Sequence, residues 1–223
     1  DQFQLYIPGS DLPNDEKPVT PESSNSNTID EDSAPTKPSS FMQRVIGRIL
    51  LQVESHGEAH YVDPVSTNRY YLKDGTTAYS ALRKFGLGVS DADLAKIPVG
   101  IETRFNDTDT DGDGLPDKLE EGLKTSPYDA DSDDDGVQDG KEVLTNRTNP
   151  LGSGRLTISS TLVNRLKGRI LLQVESKGEA WYVNPEDGKR YYMKNGDASY
   201  QIMRFLSLGI TDTDLRKISI GEI

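Results

Sequence analysis

Residues 47–75 read GRILLQVESHGEAHYVDPVSTNRYYLKDG, and residues 168–196 read GRILLQVESKGEAWYVNPEDGKRYYMKNG. The second stretch repeats the first without a gap, and the match continues to Gly100 and Gly221 with about 30 of 54 positions identical. Self-similarity at a fixed spacing indicates that one structural unit occurs twice in the chain. The sequence therefore predicts two copies of one small domain.

Each copy has the pattern of three strands followed by two helices. In the second copy, GRILLQVES, EAWYVNP and KRYYMK are β-rich runs separated by turn residues. The next run places Tyr200, Met203 and Leu206 on one helix face with Gly209 as its stop, and Thr211 caps a second, short helix. The predicted fold class is α+β, with two homologous small β-β-β-α-α domains. The helices are expected to cover one sheet face and to leave the other face and both sheet edges free.

An acidic segment joins the two copies. Residues 109–120 read DTDGDGLPDKLE and residues 131–142 read DSDDDGVQDGKE, and both fit the twelve-residue calcium loop with Gly114 and Gly136 at the sharp turn. Carboxylates about 5 Å apart repel by roughly 3 kcal/mol per pair at an effective dielectric of 20, so a cation is needed among them. The alternative is a solvated acidic linker. The sequence predicts two Ca²⁺ ions, with ligands from Asp109, Asp111, Asp113, Leu115 (carbonyl), Asp117 and Glu120 in the first loop and Asp131, Asp133, Asp135, Val137 (carbonyl), Asp139 and Glu142 in the second.

Residues 107–150 resemble the thrombospondin type 3-like, EF-hand-like calcium repeats of bacterial secreted and surface proteins. The resemblance implies an extracellular spacer that calcium makes rigid. Asp107 and Asp129 precede their loops by two residues, as in overlapping type 3 sites, and are further candidate ligands. The run VGIETRFN before the first loop lacks a helical pattern, and Pro127 interrupts any helix before the second. We therefore expect the ions to brace the chain rather than to drive a sensor-type opening.

The N-terminal residues differ from the rest in composition. Phe3, Leu5 and Ile7 alternate with polar residues, as in a half-buried strand. The stretch that follows is rich in Pro, Ser and acids and is typical of a flexible linker. The predicted organisation is an N-terminal strand (1–7), a linker (8–40), the first repeat domain (41–103), the metal segment (104–150) and the second repeat domain (151–223).

Composition excludes several classes of function. The formal net charge of −12 argues against a nucleic-acid partner, and the absence of Cys excludes disulfides and thiolate metal sites. The longest apolar run, RILLQV, is far shorter than the ~20 residues of a transmembrane helix. Asp1 in place of Met favours processing after export.

The sequence favours a protein that is not an enzyme. His56 and His60 occur only in the first copy, where a surface strand position is expected for His60, and the second copy has Lys177 and Trp181 instead. The carboxylate pairs Glu54 with Glu58 and Glu175 with Glu179 are expected to pair with Arg48, Arg69, Arg169 or Arg190 rather than to hydrolyse glycosides. Trp181 is the aromatic residue expected to face outward and to contact a glycan.

These expectations combine into an extracellular, cell-surface structural protein stabilised by calcium. The N-terminal strand would add to a sheet edge of a neighbouring copy, and such pairing builds a filament or layer when it does not close. One alternative is a cell-wall or glycan-binding adhesin. The second alternative is the non-catalytic part of a secreted hydrolase.

Overall fold

The structure, a computed structural model, describes residues 38–104 and 107–223. The predicted N-terminal strand with Phe3, Leu5 and Ile7, and nearly all of the predicted linker, lie outside the described residues. The described part is a mixed α+β structure with two four-stranded sheets and several helices. In chain order its elements are α1 (Ser40–Val45), β1 (Ile49–Gln52), β2 (Ala59–Val62), β3 (Arg69–Leu72), α2 (Gly75–Phe85), β4 (Leu87–Val89), α3 (Asp91–Leu94), α4 (Asp117–Leu123), α5 (Asp139–Lys141), a π-helical turn (Glu142–Asn146), α6 (Ser160–Leu166), β5 (Ile170–Gln173), β6 (Ala180–Val183), β7 (Arg190–Tyr192), α7 (Gly196–Phe205), β8 (Leu208–Ile210) and α8 (Asp212–Leu215).

The three predicted strands of each copy are confirmed and form an antiparallel meander. Tyr61 of β2 lies opposite Ile49 of β1 and Tyr70 of β3, and β5, β6 and β7 are paired antiparallel in the same order. The predicted cap at Thr211 is also confirmed, because its side chain accepts a hydrogen bond from the backbone N–H of Asp214 at 3.2 Å. Local sequence signals thus produce the expected local structure.

Each sheet receives its fourth strand from the other copy. β8 of the second copy pairs in parallel with β1 of the first, with Leu50 opposite Leu208, and β4 of the first copy pairs in parallel with β5 of the second. The prediction that both sheet edges stay free is therefore wrong. The predicted helix stop at Gly209 is also wrong, because α7 ends at Phe205 and Gly209 lies within β8. The copies exchange these strands because a strand of three residues cannot form a sheet alone. It gains backbone hydrogen bonds when it pairs with the exposed sheet edge of the other copy.

The two copies also share their largest core. One face of each sheet packs with α2 and α7 in a cluster that contains Tyr61 and Met203 from different copies. The Tyr61 hydroxyl donates to the carbonyl of Gly168 at 2.9 Å, and the Tyr182 hydroxyl donates to the carbonyl of Gly47 at 2.8 Å. Residues 38–223 consequently form one compact unit rather than two separate domains.

The opposite faces of the two sheets have different covers. On the first sheet, α1 and α8 pack over Leu50 and Val62. On the second sheet, α3 and α6 are joined by residues of the metal segment, including Leu115 and Leu119, in a larger cluster with Trp181. The expectation that one sheet face remains available is therefore wrong for both sheets, because α1 and α8 cover the first and α3, α6 and the metal segment cover the second.

Candidate metal centre

The first loop brings three carboxylates together. Asp109, Asp111 and Asp113 each offer an oxygen, and these oxygens lie within 4.8 Å of one another. The backbone curls because Gly114 adopts φ +97°, which favours glycine, and because Asp109 accepts hydrogen bonds from the N–H groups of Gly112 and Gly114 at 2.8 and 3.1 Å. This curl turns alternate residues of the loop inward.

The second loop repeats this geometry. Asp131, Asp133 and Asp135 offer oxygens within 4.8 Å of one another, and Gly136 adopts φ +90°. Asp131 accepts hydrogen bonds from the N–H groups of Asp135 and Gly136 at 3.1 and 2.7 Å. Two clusters of three aspartates therefore exist, each able to hold a metal ion and compatible with calcium.

The ninth position of each loop carries an aspartate that accepts hydrogen bonds from its own loop. Both oxygens of Asp117 accept hydrogen bonds from Thr110, one from its N–H and one from its hydroxyl, each at 2.8 Å. Asp139 is held in the same way by Ser132, at 3.1 and 2.6 Å. These contacts close each loop onto the start of α4 or α5, so Asp117 and Asp139 help to hold the loops in place. The ligand roles of these two aspartates stay predictions.

The twelfth position places a glutamate inside the protein. Glu120 is 0 % exposed and Glu142 is 1 % exposed, and Oε2 of each is buried without a hydrogen-bond partner among the described residues. Burial, followed by the charges of Asp111 and Asp113, raises the pKa of Glu120 to about 7, and burial with the charge of Asp135 raises that of Glu142. Glu120 Oε1 accepts a hydrogen bond from the Thr125 hydroxyl at 3.2 Å, but a buried carboxylate with one oxygen unpartnered is still costly unless a cation accompanies it. The residues present therefore fit a divalent ion.

The remaining predicted ligands are the carboxylates of Asp107 and Asp129 and the backbone carbonyls of Leu115 and Val137. Both oxygens of Asp107 accept hydrogen bonds from the Lys194 ammonium at 2.8 Å, so this carboxylate is engaged in an ion pair with the second copy. Asp129 accepts from the backbone N–H of Asp131 at 3.4 Å. The carbonyl roles of Leu115 and Val137 stay predictions.

The two loops are in direct contact with each other. The backbone N–H of Gly140, at the start of α5, donates to Asp113 Oδ2 at 2.6 Å. A Cβ at Gly140 would lie only 2.2 Å from the carbonyl oxygen of Asp113, so this contact requires glycine. The loops therefore form one unit in which the second loop helps to orient a carboxylate of the first. Sequence reasoning missed Gly140, whose only signal was a glycine directly after the ninth position.

The metal segment is anchored on the second copy through Trp181. Gly122 of α4 packs so closely that an added Cβ would lie 2.6 Å from Trp181 Cζ2 and 3.0 Å from Tyr192. Trp181 is 0 % exposed, and its Nε1–H donates to Gln173 Oε1 at 3.1 Å. The expectation that Trp181 faces outward is therefore wrong, and a buried ring offers no face to a glycan.

The candidate catalytic residues His60, Glu54 and Glu175 are each buried or hydrogen-bonded within the fold. His60 is 6 % exposed, so its expected surface position is wrong, and burial followed by the charge of Arg69 lowers its pKa to about 4. Glu54 and Glu175 accept hydrogen bonds at 2.7 Å from the first N–H groups of α8 and α3. Among the described residues, the ion pairs link Arg48 to Glu186 and Arg169 to Asp63, not to the predicted glutamates.

Comparisons with known proteins add no family to these observations: no protein-family model matches the chain, and no curated protein or solved structure matches it significantly. Within residues 38–104 and 107–223, every helix is too short or too polar to cross a membrane.

Proposed function

We propose that this chain is an extracellular structural protein whose metal segment binds two calcium ions. The observation that carries the proposal is the combination, in each loop, of an aspartate triad with a buried glutamate whose Oε2 lacks a partner. An all-oxygen site on a flexible loop suits Ca²⁺, because Mg²⁺ prefers a tighter octahedron with more water.

The ions act as structural braces in this proposal. Each loop runs into a helix, α4 or α5, but the described residues directly before the loops, 101–104 with 107–108 and 124–130, form no helix. Sensor-type opening needs a pair of helices that flank one loop and change their angle, and the described residues form no such pair. The residues next to the loops instead enter the core of the second copy through Leu115, Leu119 and Val143. Calcium would therefore stabilise the fold itself.

The experiment is calcium titration of the full chain and of two loop variants. Wild type should bind two ions per chain, whereas Asp109→Asn and Asp131→Asn should each bind one ion at the same free calcium. Thermal unfolding should shift upward with calcium in all three proteins, and least in the variants. Wild type that binds no calcium at millimolar concentration would refute the proposal.

Assembly by the N-terminal strand is the second part of the proposal. Phe3, Leu5 and Ile7 would pair with a sheet edge of a neighbouring chain and build a filament or surface layer. In support, β4 and β8 are outer strands of the two sheets, and no further described strand pairs with them. Deletion of residues 1–7 should abolish fibres in electron micrographs while calcium binding persists. Fibres formed by the deletion variant would contradict strand addition without affecting the calcium proposal.

A further inference from the structure

Arg190 is a buried cation that makes no ion pair with the described residues. It is 5 % exposed, its Nε is buried without a hydrogen-bond partner, and its guanidinium lies over the Trp181 ring at 4.5 Å. Desolvation lowers its pKa to about 9. The nearby Asp91 favours the charged guanidinium electrostatically, but its oxygens accept hydrogen bonds from Gln173 and Lys124 rather than from Arg190.

The equivalent arginine of the first copy has a hydrogen-bond partner within the protein. Arg69 stands 121 positions before Arg190, and its Nε donates to the carbonyl of Ile218 at 3.1 Å. The corresponding carbonyl belongs to Ile97 of the first copy, and Arg190 Nε makes no hydrogen bond to it. The Arg190 guanidinium therefore lacks the hydrogen bond that anchors Arg69, although its burial makes an unfilled donor costly.

Arg190 lines a pocket of about 80 Å³ together with two exposed basic residues, Arg147 and Lys189. No acidic residue is among the residues that line it, although the chain carries a net charge of −12. The other lining side chains are apolar and come from the chain after α3, from the π-helical turn and from the chain after that turn; they include Ile97, Val99, Val143, Leu144 and Ile158.

We propose that this pocket is an anion site that takes a carboxylate group with a short apolar substituent. The guanidinium fork of Arg190 can donate to both oxygens of one carboxylate, and Arg147 and Lys189 add positive charge at the rim. The cavity is several times larger than the roughly 10–15 Å³ that one water molecule needs, so it has room for a small group such as acetate. A tetrahedral anion would place oxygen atoms against apolar walls, where they find no donor. The carboxylate belongs either to a free small acid or to an Asp or Glu side chain of a peptide.

The test titrates the full chain with sodium acetate and, separately, with sodium sulfate at saturating calcium and constant ionic strength. Trp181 is the only Trp of the chain and stacks on Arg190, so its fluorescence reports binding. Acetate should give a saturable change in wild type and in the matched control Arg69→Gln. Arg190→Gln should weaken binding at least tenfold. Lys189→Gln, which changes only an exposed residue, should weaken binding severalfold without affecting folding.

The peptides acetyl-Gly-Glu-Gly-amide and acetyl-Gly-Gln-Gly-amide distinguish the two sources of carboxylate. Tighter binding of the Glu peptide than of acetate, with no binding of the Gln peptide, assigns the site to an acidic side chain, whereas tighter binding of acetate assigns it to a free acid. The proposal is overturned if acetate gives no saturable signal, if Arg190→Gln and Lys189→Gln both bind as wild type does, or if sulfate binds as tightly as acetate.

Discussion

Replacing Glu120 by glutamine should have opposite effects on stability with and without calcium. In the metal-free protein, the buried carboxylate has a pKa of about 7 in place of 4.5, and its Oε2 has no partner among the described residues. The folded state therefore holds a proton between pH 4.5 and 7 that the unfolded state releases. Stability from this group consequently falls as pH rises through that window.

The size of the effect follows from the shift. At 1.36 kcal/mol per pKa unit, the change from 4.5 to about 7 corresponds to about 3 kcal/mol lost by pH 8. Glu120→Gln carries no such charge. Without metal, the free energy of unfolding of the variant should therefore exceed that of wild type by up to that amount at pH 8 and by almost nothing at pH 4. With calcium the order should reverse once the free ion reaches about 1,000 times the wild-type Kd, since it then stabilises the folded state by about 4.1 kcal/mol, which exceeds the advantage of the variant.

The assay is urea unfolding followed by Trp181 fluorescence, at pH 4 and pH 8, with calcium and with a chelator. The matched control is Glu121→Gln, because Glu121 is an exposed neighbour that pairs with Lys118. This control should differ from wild type by less than about 1 kcal/mol under all conditions. The reasoning is refuted if Glu120→Gln destabilises the metal-free protein at pH 8, or if calcium stabilises the variant as much as wild type.

Three further predictions concern the contacts around the loops and between the copies. Gly122→Ala should lower the free energy of unfolding in urea by about 1–3 kcal/mol and alter Trp181 fluorescence even with calcium, since the new methyl group overlaps the indole ring. An unchanged spectrum would contradict the packing of α4 on Trp181. Tyr61→Phe and Tyr182→Phe should each cost about 1 kcal/mol by the same measurement, because each removes one buried hydrogen bond between the copies, and a cost in only one of them would argue against their equivalent roles. Gly140→Ala should weaken calcium binding in both loops in a calorimetric titration, because its methyl group would displace the first loop; loss confined to the second loop would show that the loops are independent.

Local patterns in the sequence predicted the strands because their signals lie within a few residues. The β-rich runs and their Gly turns are sufficient for the meander of each copy. By contrast, the exchanged strands LGV and LGI are three residues long, and Leu87 pairs with Leu171, which lies 84 positions away in the chain. Sequence periodicity carries no information about such a distant partner. The short helices α1 and α6 were missed for a similar reason, although the caps Ser39 and Ser159 were available as signals.

The candidate site was predictable only in part. The triads and the turns at Gly114 and Gly136 follow from spacing within one loop. The role of Asp117 depended on Thr110, whose N–H and hydroxyl both reach its carboxylate. The burial of Trp181 depended on Gly122, which belongs to a different segment. Contacts between segments thus decide which predicted side chains remain available.

Isothermal titration of the full chain with calcium at pH 7.4 tests the central claim most directly. The account predicts binding of two ions per chain, with affinities that fall as pH decreases below 7 because Glu120 then takes up a proton in competition with the metal. A chain that shows no saturable binding at millimolar calcium, or binding that is insensitive to Asp109→Asn and Asp131→Asn, would contradict it.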